Sequence, residues 1–272
     1  MFGRLTPITK NLLIINIAIY ALDSFLNLNL SRYLGLRYIL ADTFIPVQFV
    51  TYMFLHGSWM HVLSNMFALF IFGPLLEQFW GAKRFLIFYM VTGIGAGILY
   101  TGIDFIETRK IQLAMEDYTL NPSADKFSSY IAKNGTIARI DGQLMDVSGG
   151  AYRIEDQLYE QPDNTQIINR SKQIVVGVYD FISNVPMIGA SGAVFGILMA
   201  FGLLFPNTTL MLLFPPIPIK AKYFVAIYGF IELFAGIQRS PGDNVAHFAH
   251  LGGMLVAFIL LKIWQGDRKR FF

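Results

Sequence analysis

The sequence predicts an all-α membrane protein with six transmembrane helices and a long exoplasmic insertion between the third and fourth. Three observations lead there. Of 272 residues, 54% are hydrophobic and only 14% charged, where a soluble domain averages about 25% charged. Twenty-five residues are Phe, and the mean hydropathy is +0.50. Apolar runs of about 20 residues, the length that crosses a bilayer core, recur at roughly 9–28, 60–79, 84–103, 187–206, 221–238 and 246–264. Basic residues collect in alternate connections between those runs.

Each element follows in order. "MFGRLTPITKNLLIINIAIYALDSFL" carries basic residues and then an apolar run, as a signal peptide does. The "DSFLNLNLSRY" that follows is polar and bulky, with no small-x-small cleavage site, so an uncleaved first span is expected. The stretch "RYLGLRYILADTFIPVQFVTYMFLHGSW" is aromatic and amphipathic but too broken to span, and reads as interfacial. Arg4 and Lys10 precede span 1, Lys83 and Arg84 lie between spans 2 and 3, and Lys220 and Lys222 between spans 4 and 5. Lys262, Arg268, Lys269 and Arg270 end or follow span 6. Six spans put all these groups on one side, and the opposite short loops hold only Arg32, Arg37 and Arg239. Both termini are therefore expected in the cytoplasm.

Segment 104–180 breaks the pattern, with 12 acidic and 8 basic residues, about −4 against about +7 for the remainder. It falls outside, between spans 3 and 4. Turn signals such as "NPSADK" and "QPDN", with amphipathic pieces "FSSYIAK" and "SKQIVVGVYDFI", predict a small folded insertion. The net charge of +3 is too small to suggest nucleic acid, and the absence of Cys excludes disulfides and thiolate metal sites.

Polar and ionisable groups inside a membrane are costly and mark function. All four histidines, His56, His61, His247 and His250, lie in or beside spans. In "HGSWMHVLSNMF", His61 and Asn65 are four apart and share a helix face. Two such donors can hold an oxyanion, or can simply bond neighbouring helices together. His56, just outside the span, reads as an anchor for the entry loop. In "NVAHFAHLGGMLVAF", His247 and His250 open span 6. A metal would need further ligands, no carboxylate joins the pair, and His-Glu-x-x-His is absent, so no metal and no cofactor are expected. In "GASGAVFG", Ser191 starts a helix whose free amides favour negative charge. Gly192, Gly196 and Ala200 on span 4, and Gly253 and Ala257 on span 6, form small faces that permit close packing. Packing the two faces together brings Ser191 near His250, as nucleophile and base. Glu232 in span 5 and Glu77 at the inner end of span 2 read as wrongly placed for a triad, so a Ser–His dyad is predicted.

These motifs, in this order through six spans, resemble those of the rhomboid family of intramembrane serine proteases. The likeness covers nearly the whole chain outside 104–180. It implies a six-transmembrane-helix rhomboid-like bundle, one membrane domain over 1–272 with 104–180 as an exoplasmic insertion. By resemblance, Ser191 in Gly-x-Ser-Gly matches the nucleophile, and His250 in Ala-His-Leu-Gly-Gly matches the base, a choice over His247 that spacing alone does not make. His61 and Asn65 match oxyanion residues, and His56 matches a loop-supporting histidine. Gly253 and Ala257 match positions packing span 6 on span 4. "EQFWGAKRF", with Glu77, Trp80 and Gly81, resembles the turn after span 2. Two departures stand out: Phe195 replaces a frequent tyrosine, and the insertion is unusually long. The expected partners are transmembrane protein substrates and the lipid bilayer, with the site opening to the exoplasmic side and a bacterial plasma membrane as the location. A catalytically inactive relative that binds or escorts membrane proteins is the alternative. Nothing favours a transporter, because the spans show no repeat of interrupted helices.

Overall fold

The computed structural model describes residues 5–135, 137–140, 143–211, 216–238 and 245–268. Arg4, Arg239, Lys269 and Arg270, counted in the charge pattern, lie outside them, as does the side chain of Arg268. In chain order come α1 (Pro7–Leu26), α2 (Ser31–Leu34) and α3 (Gln48–Thr51), which runs into a 3-10 turn at Tyr52–Phe54. Next are α4 (Trp59–Trp80), α5 (Ala82–Leu120) and α6 (Ala124–Asn134), then β1 (Ile137–Ile140) and β2 (Gln143–Asp146). α7 (Ser148–Glu160), α8 (Thr165–Ser183) and α9 (Ser191–Leu204) follow, then β3 (Thr209–Met211) and β4 (Pro218–Lys220). α10 (Ala221–Gln238) and α11 (His247–Arg268) complete the series.

Local chemistry sets the ends. Pro7 opens α1 at a position where its missing N–H costs nothing, and Asn27 closes it in the left-handed region at φ 50°. The Ser58 hydroxyl caps α4 by accepting from the His61 N–H at 3.2 Å.

Each of the six predicted spans falls on a helix, with α5 running on well past its span; among the described residues four helices are long and apolar enough to cross a membrane: α1, α4, α5 and the His247–Gln265 part of α11. α9 has 14 residues, about 21 Å of helix. It starts later than its apolar run because Gly189, at φ 131°, breaks the helix before it. α10 has 18 residues, and Lys222 and Glu232 dilute its apolar stretch.

The chain divides into two compact units. The first comprises Met1–Leu36, Ile45–Thr101 and Pro186–Phe272. In it, α9 is buried along almost its whole length, and α5 offers a succession of small residues to its neighbours. A Cβ on Gly93 would sit 2.0 Å from Met53 Cε, and one on Gly97 would sit 3.1 Å from the Tyr52 ring. One on Gly95 would meet Val256 of α11 at 2.7 Å. These close approaches seat the segment before α4 and α11 against α5. The small faces of α9 and α11 were expected to pack together, and the two helices do pack closely. The glycines of α9 also admit α5: a Cβ on Gly196 would strike Thr92 at 2.8 Å, and one on Gly192 would strike Ala96 at 2.6 Å. The α9–α11 crossing rests on Gly253 of α11, whose added Cβ would fall 1.9 Å from the Gly192 carbonyl oxygen.

At the other end of this unit, buried Glu77 near the end of α4 caps α1. It accepts from the Ile8 N–H at 2.9 Å, the Thr9 N–H at 2.8 Å, the Thr9 hydroxyl at 2.9 Å and the Thr6 hydroxyl. A carboxylate at a helix N-terminus meets free N–H groups and the positive end of the dipole.

The second unit comprises Arg37–Phe44 and Gly102–Val185. It has its own apolar core, built on Tyr118, Phe127, Tyr130, Ile154, Leu158, Val175 and Val178. Tyr118 and Ser171 share a buried hydroxyl–hydroxyl bond of 2.5 Å. The "NPSADK" signal becomes the Ser123 cap of α6, and "QPDN" the Asn164 cap of α8. β1 and β2 pair as an antiparallel hairpin, Ile137 opposite Asp146. Arg37 and Thr43 bond to Asn184 at the end of α8, which draws 37–44 into this unit.

Candidate active site

Ser191 is the first residue of α9, and the loop before it is pinned from two sides. Met187 and Leu36 exchange backbone hydrogen bonds of 2.9 and 2.7 Å, and the Gly189 N–H donates to the Tyr52 carbonyl at 2.9 Å. Tyr52 is held in turn by its hydroxyl, which donates to the Gly93 carbonyl at 2.8 Å. Gly189 is required for two reasons. Its φ of 131° is disfavoured for any side chain, and a Cβ there would sit 2.7 Å from His61 Nε2 and 3.5 Å from Ser191 Oγ. The missing methyl leaves a small space that both groups border. Ala190, which precedes the helix, provides no side-chain acceptor for its first N–H groups.

His61 and Asn65 enter from α4, one turn apart. The Gly57 N–H points at His61 Nδ1 at 3.5 Å, so Nδ1 accepts and Nε2 carries the ring proton. That N–H is the one beside Gly189. Asn65 is buried, and its Nδ2 has no hydrogen-bond partner among the described residues, which is uncommon for a buried donor. His56 is buried too, with neither ring nitrogen bonded. It supports the loop by ring packing, edge-on to His61 at 4.9 Å.

His250 lies buried at the start of α11. Phe195, one turn into α9 from Ser191, stacks on its ring at 4.1 Å and 7°. His61 is within electrostatic reach of His250. Among the described residues no hydrogen bond joins Ser191 to His250; the α9–α11 crossing brings them to one neighbourhood.

The reading of Glu232 is overturned. Its Oε2 lies 2.7 Å from His250 Nδ1 and 2.7 Å from His247 Nδ1, so a carboxylate does join the two histidines. Sequence distance concealed it, because α10 and α11 are separate helices whose relative depth no spacing rule gives. The usable signal was the acid itself, in an apolar run where acids are rare. The three donor atoms all lie within 4.8 Å of one another, a spacing that can hold a divalent cation. Hydrogen bonding already satisfies them. Glu77 serves α1 and takes no part here.

An apolar cleft of about 360 Å³, lined by Leu75, Gln78, Phe79, Phe201, Phe205 and Thr208, contains none of these residues. Phe201 is ten residues beyond Ser191, roughly 15 Å along the helix.

The family model for the Rhomboid domain matches residues 45–108 and 168–265, and leaves the intervening stretch unmatched. Rhomboid-like protein 11, chloroplastic, of Arabidopsis thaliana is 35% identical over 90 residues, covering 32% of this chain and 30% of that protein. RHOMBOID-like protein 6, mitochondrial, from the same plant is 40% identical over 52 residues, covering 19% and 17%. The chain thus matches less than a third of the length of these relatives. Both are organellar proteins by name, so a bacterial plasma membrane gains no support from them.

Proposed function

Because this chain belongs to the rhomboid family, we propose that it is an intramembrane serine endopeptidase, hydrolysing peptide bonds in or near transmembrane segments of membrane-protein substrates. Ser191 Oγ attacks the scissile carbonyl carbon while His250 Nε2 takes its proton. The carbonyl electrons move to oxygen, and the oxyanion is met by His61 Nε2–H, Asn65 Nδ2–H and the Ser191 amide. His250 passes the proton to the leaving amine, and water then releases the acyl chain by the same route. The observation that supports this best is the gap at Gly189, bordered by Ser191 Oγ and His61 Nε2, with an unpaired Asn65 amide in the same helix face as His61.

We further read α1, α4, the first half of α5, α9, α10 and α11 as six spans with cytoplasmic termini. α9 is too short to reach both surfaces, so its N-terminus and Ser191 sit below the exoplasmic face and water enters from that side. Residues 104–180 form an exoplasmic insertion in a single rhomboid-like domain. The gap in the family match, between 108 and 168, supports this.

Purified protein reconstituted with a model transmembrane substrate tests the proposal. Wild type cleaves and is labelled at Ser191 by a fluorophosphonate probe. Ser191→Ala and His250→Ala each lose cleavage by at least about 10³-fold. Equal cleavage by Ser191→Ala defeats the peptidase reading. Absence of both cleavage and labelling favours the inactive, escorting relative instead.

A further inference from the structure

We propose that Glu232 is a positioning residue, completing a Ser191–His250–Glu232 array in which its carboxylate fixes the ring of the base; this rests on the peptidase reading above. A carboxylate only accepts hydrogen bonds. The 2.7 Å contact with Glu232 Oε2 therefore requires the proton of the neutral His250 ring to be on Nδ1. Nε2 is then the bare nitrogen, the form that can accept the proton of Ser191. The two contacts on His250 are complementary. Phe195 stacks on its face and sets the ring plane, and Glu232 sets the rotation within that plane.

Glu232 is itself held. His247 Nδ1–H donates to the same oxygen at 2.7 Å, and both partners come from the first turn of α11. His247, which the dyad reading left without a role, thus fixes the carboxylate that fixes the base. A buried acid in an apolar helix carries a large cost unless it is fully bonded, and these bonds account for its presence in α10. During attack the Ser191 proton goes to His250 Nε2, leaving an imidazolium beside the carboxylate. Glu232 stabilises that charge and takes up no proton. The proton leaves on the amine, and the ring returns to its starting tautomer.

The test compares wild type with Glu232→Leu and Glu232→Asp, in cleavage assays and by ¹⁵N NMR of histidine side chains. Glu232→Leu should lose about 10²–10⁴-fold in kcat with KM changed less than about threefold. Glu232→Asp, which keeps a carboxylate, should recover at least about tenfold over Leu. Wild-type His250 should show the Nδ1–H tautomer, and Glu232→Leu a mixture. If Glu232→Leu folds poorly, the wild-type tautomer decides: a proton on Nε2 overturns the proposal. An active wild type matched in kcat by folded Glu232→Leu overturns it alone. A wild type that neither cleaves nor takes the probe at Ser191 defeats the peptidase reading, and this proposal with it.

Discussion

Asn65 carries a buried amide nitrogen that no described group satisfies. Such a donor costs about 1–3 kcal/mol in the resting protein, a cost that an oxygen present only during reaction would offset. Asn65→Ala should therefore lower kcat by about 10²–10³-fold without lowering thermal stability, measured as cleavage rate and unfolding temperature side by side. A glue role would give the reverse, with stability lost and rate kept. His56 makes a separate prediction. Burial, with His61 beside it, pushes its ring from the ordinary 6.5 down to about 3. Between those values the unfolded chain binds a proton that the folded chain does not, so stability falls as pH drops through that window. Unfolding temperature measured from pH 7 to 3 should decline less steeply in His56→Phe than in wild type. Ser191, His61, Asn65 and the His247–His250 pair stood out as candidates because polar groups are rare in apolar helices; the family resemblance, not spacing, singled out His250. Glu232 stood out equally, but its partners lie 15 and 18 residues on, across a connection between helices. Only the packing of α10 beside α11 sets its depth.

At the scale of elements, the crossing of α9 and α11 depends on one missing side chain. Gly253 admits no Cβ, since it would meet the Gly192 carbonyl oxygen at 1.9 Å, whereas Gly252 would place one 3.2 Å from Leu99. Gly253→Ala should destabilise by about 1–3 kcal/mol or more and cut activity by separating the helices that carry Ser191 and His250. Gly252→Ala should cost less on both counts. Thermal unfolding and cleavage of the two variants check the order; equal losses would mean that the crossing is not set at Gly253. The helices themselves could be read from their apolar runs, except that α5 continues to Leu120, far beyond the run that signalled it. Their neighbours could be read only in part: the contact of Gly192 with Gly253 followed from the small faces, but nothing in the spacing of Gly192 and Gly196 signalled Thr92 and Ala96 of α5.

At the scale of the whole molecule, residues 102–185 carry a core of their own, and Phe127 is fully buried in it. Phe127→Ala should cost about 3–5 kcal/mol there. Hydrogen exchange on the full chain should show protection falling across α6, α7 and α8, while amides of α9 and α11 keep theirs. A uniform loss in all five helices would mean that the chain unfolds as one cooperative body. The amphipathic pieces of this segment were legible, but the recruitment of 37–44 was not. It depends on Arg37 and Thr43 reaching Asn184, far along the chain.

The carboxylate of Glu77 has a consequence for the order in which the molecule is made. The helix start that it caps lies 69 residues earlier. At a ribosome adding about 5–20 residues per second, α1 is in being for several seconds before its cap exists. During that interval the first amides of α1 have no acceptor from the rest of the fold. The start of α1 is therefore made well before it can be locked, and it waits on the far end of α4.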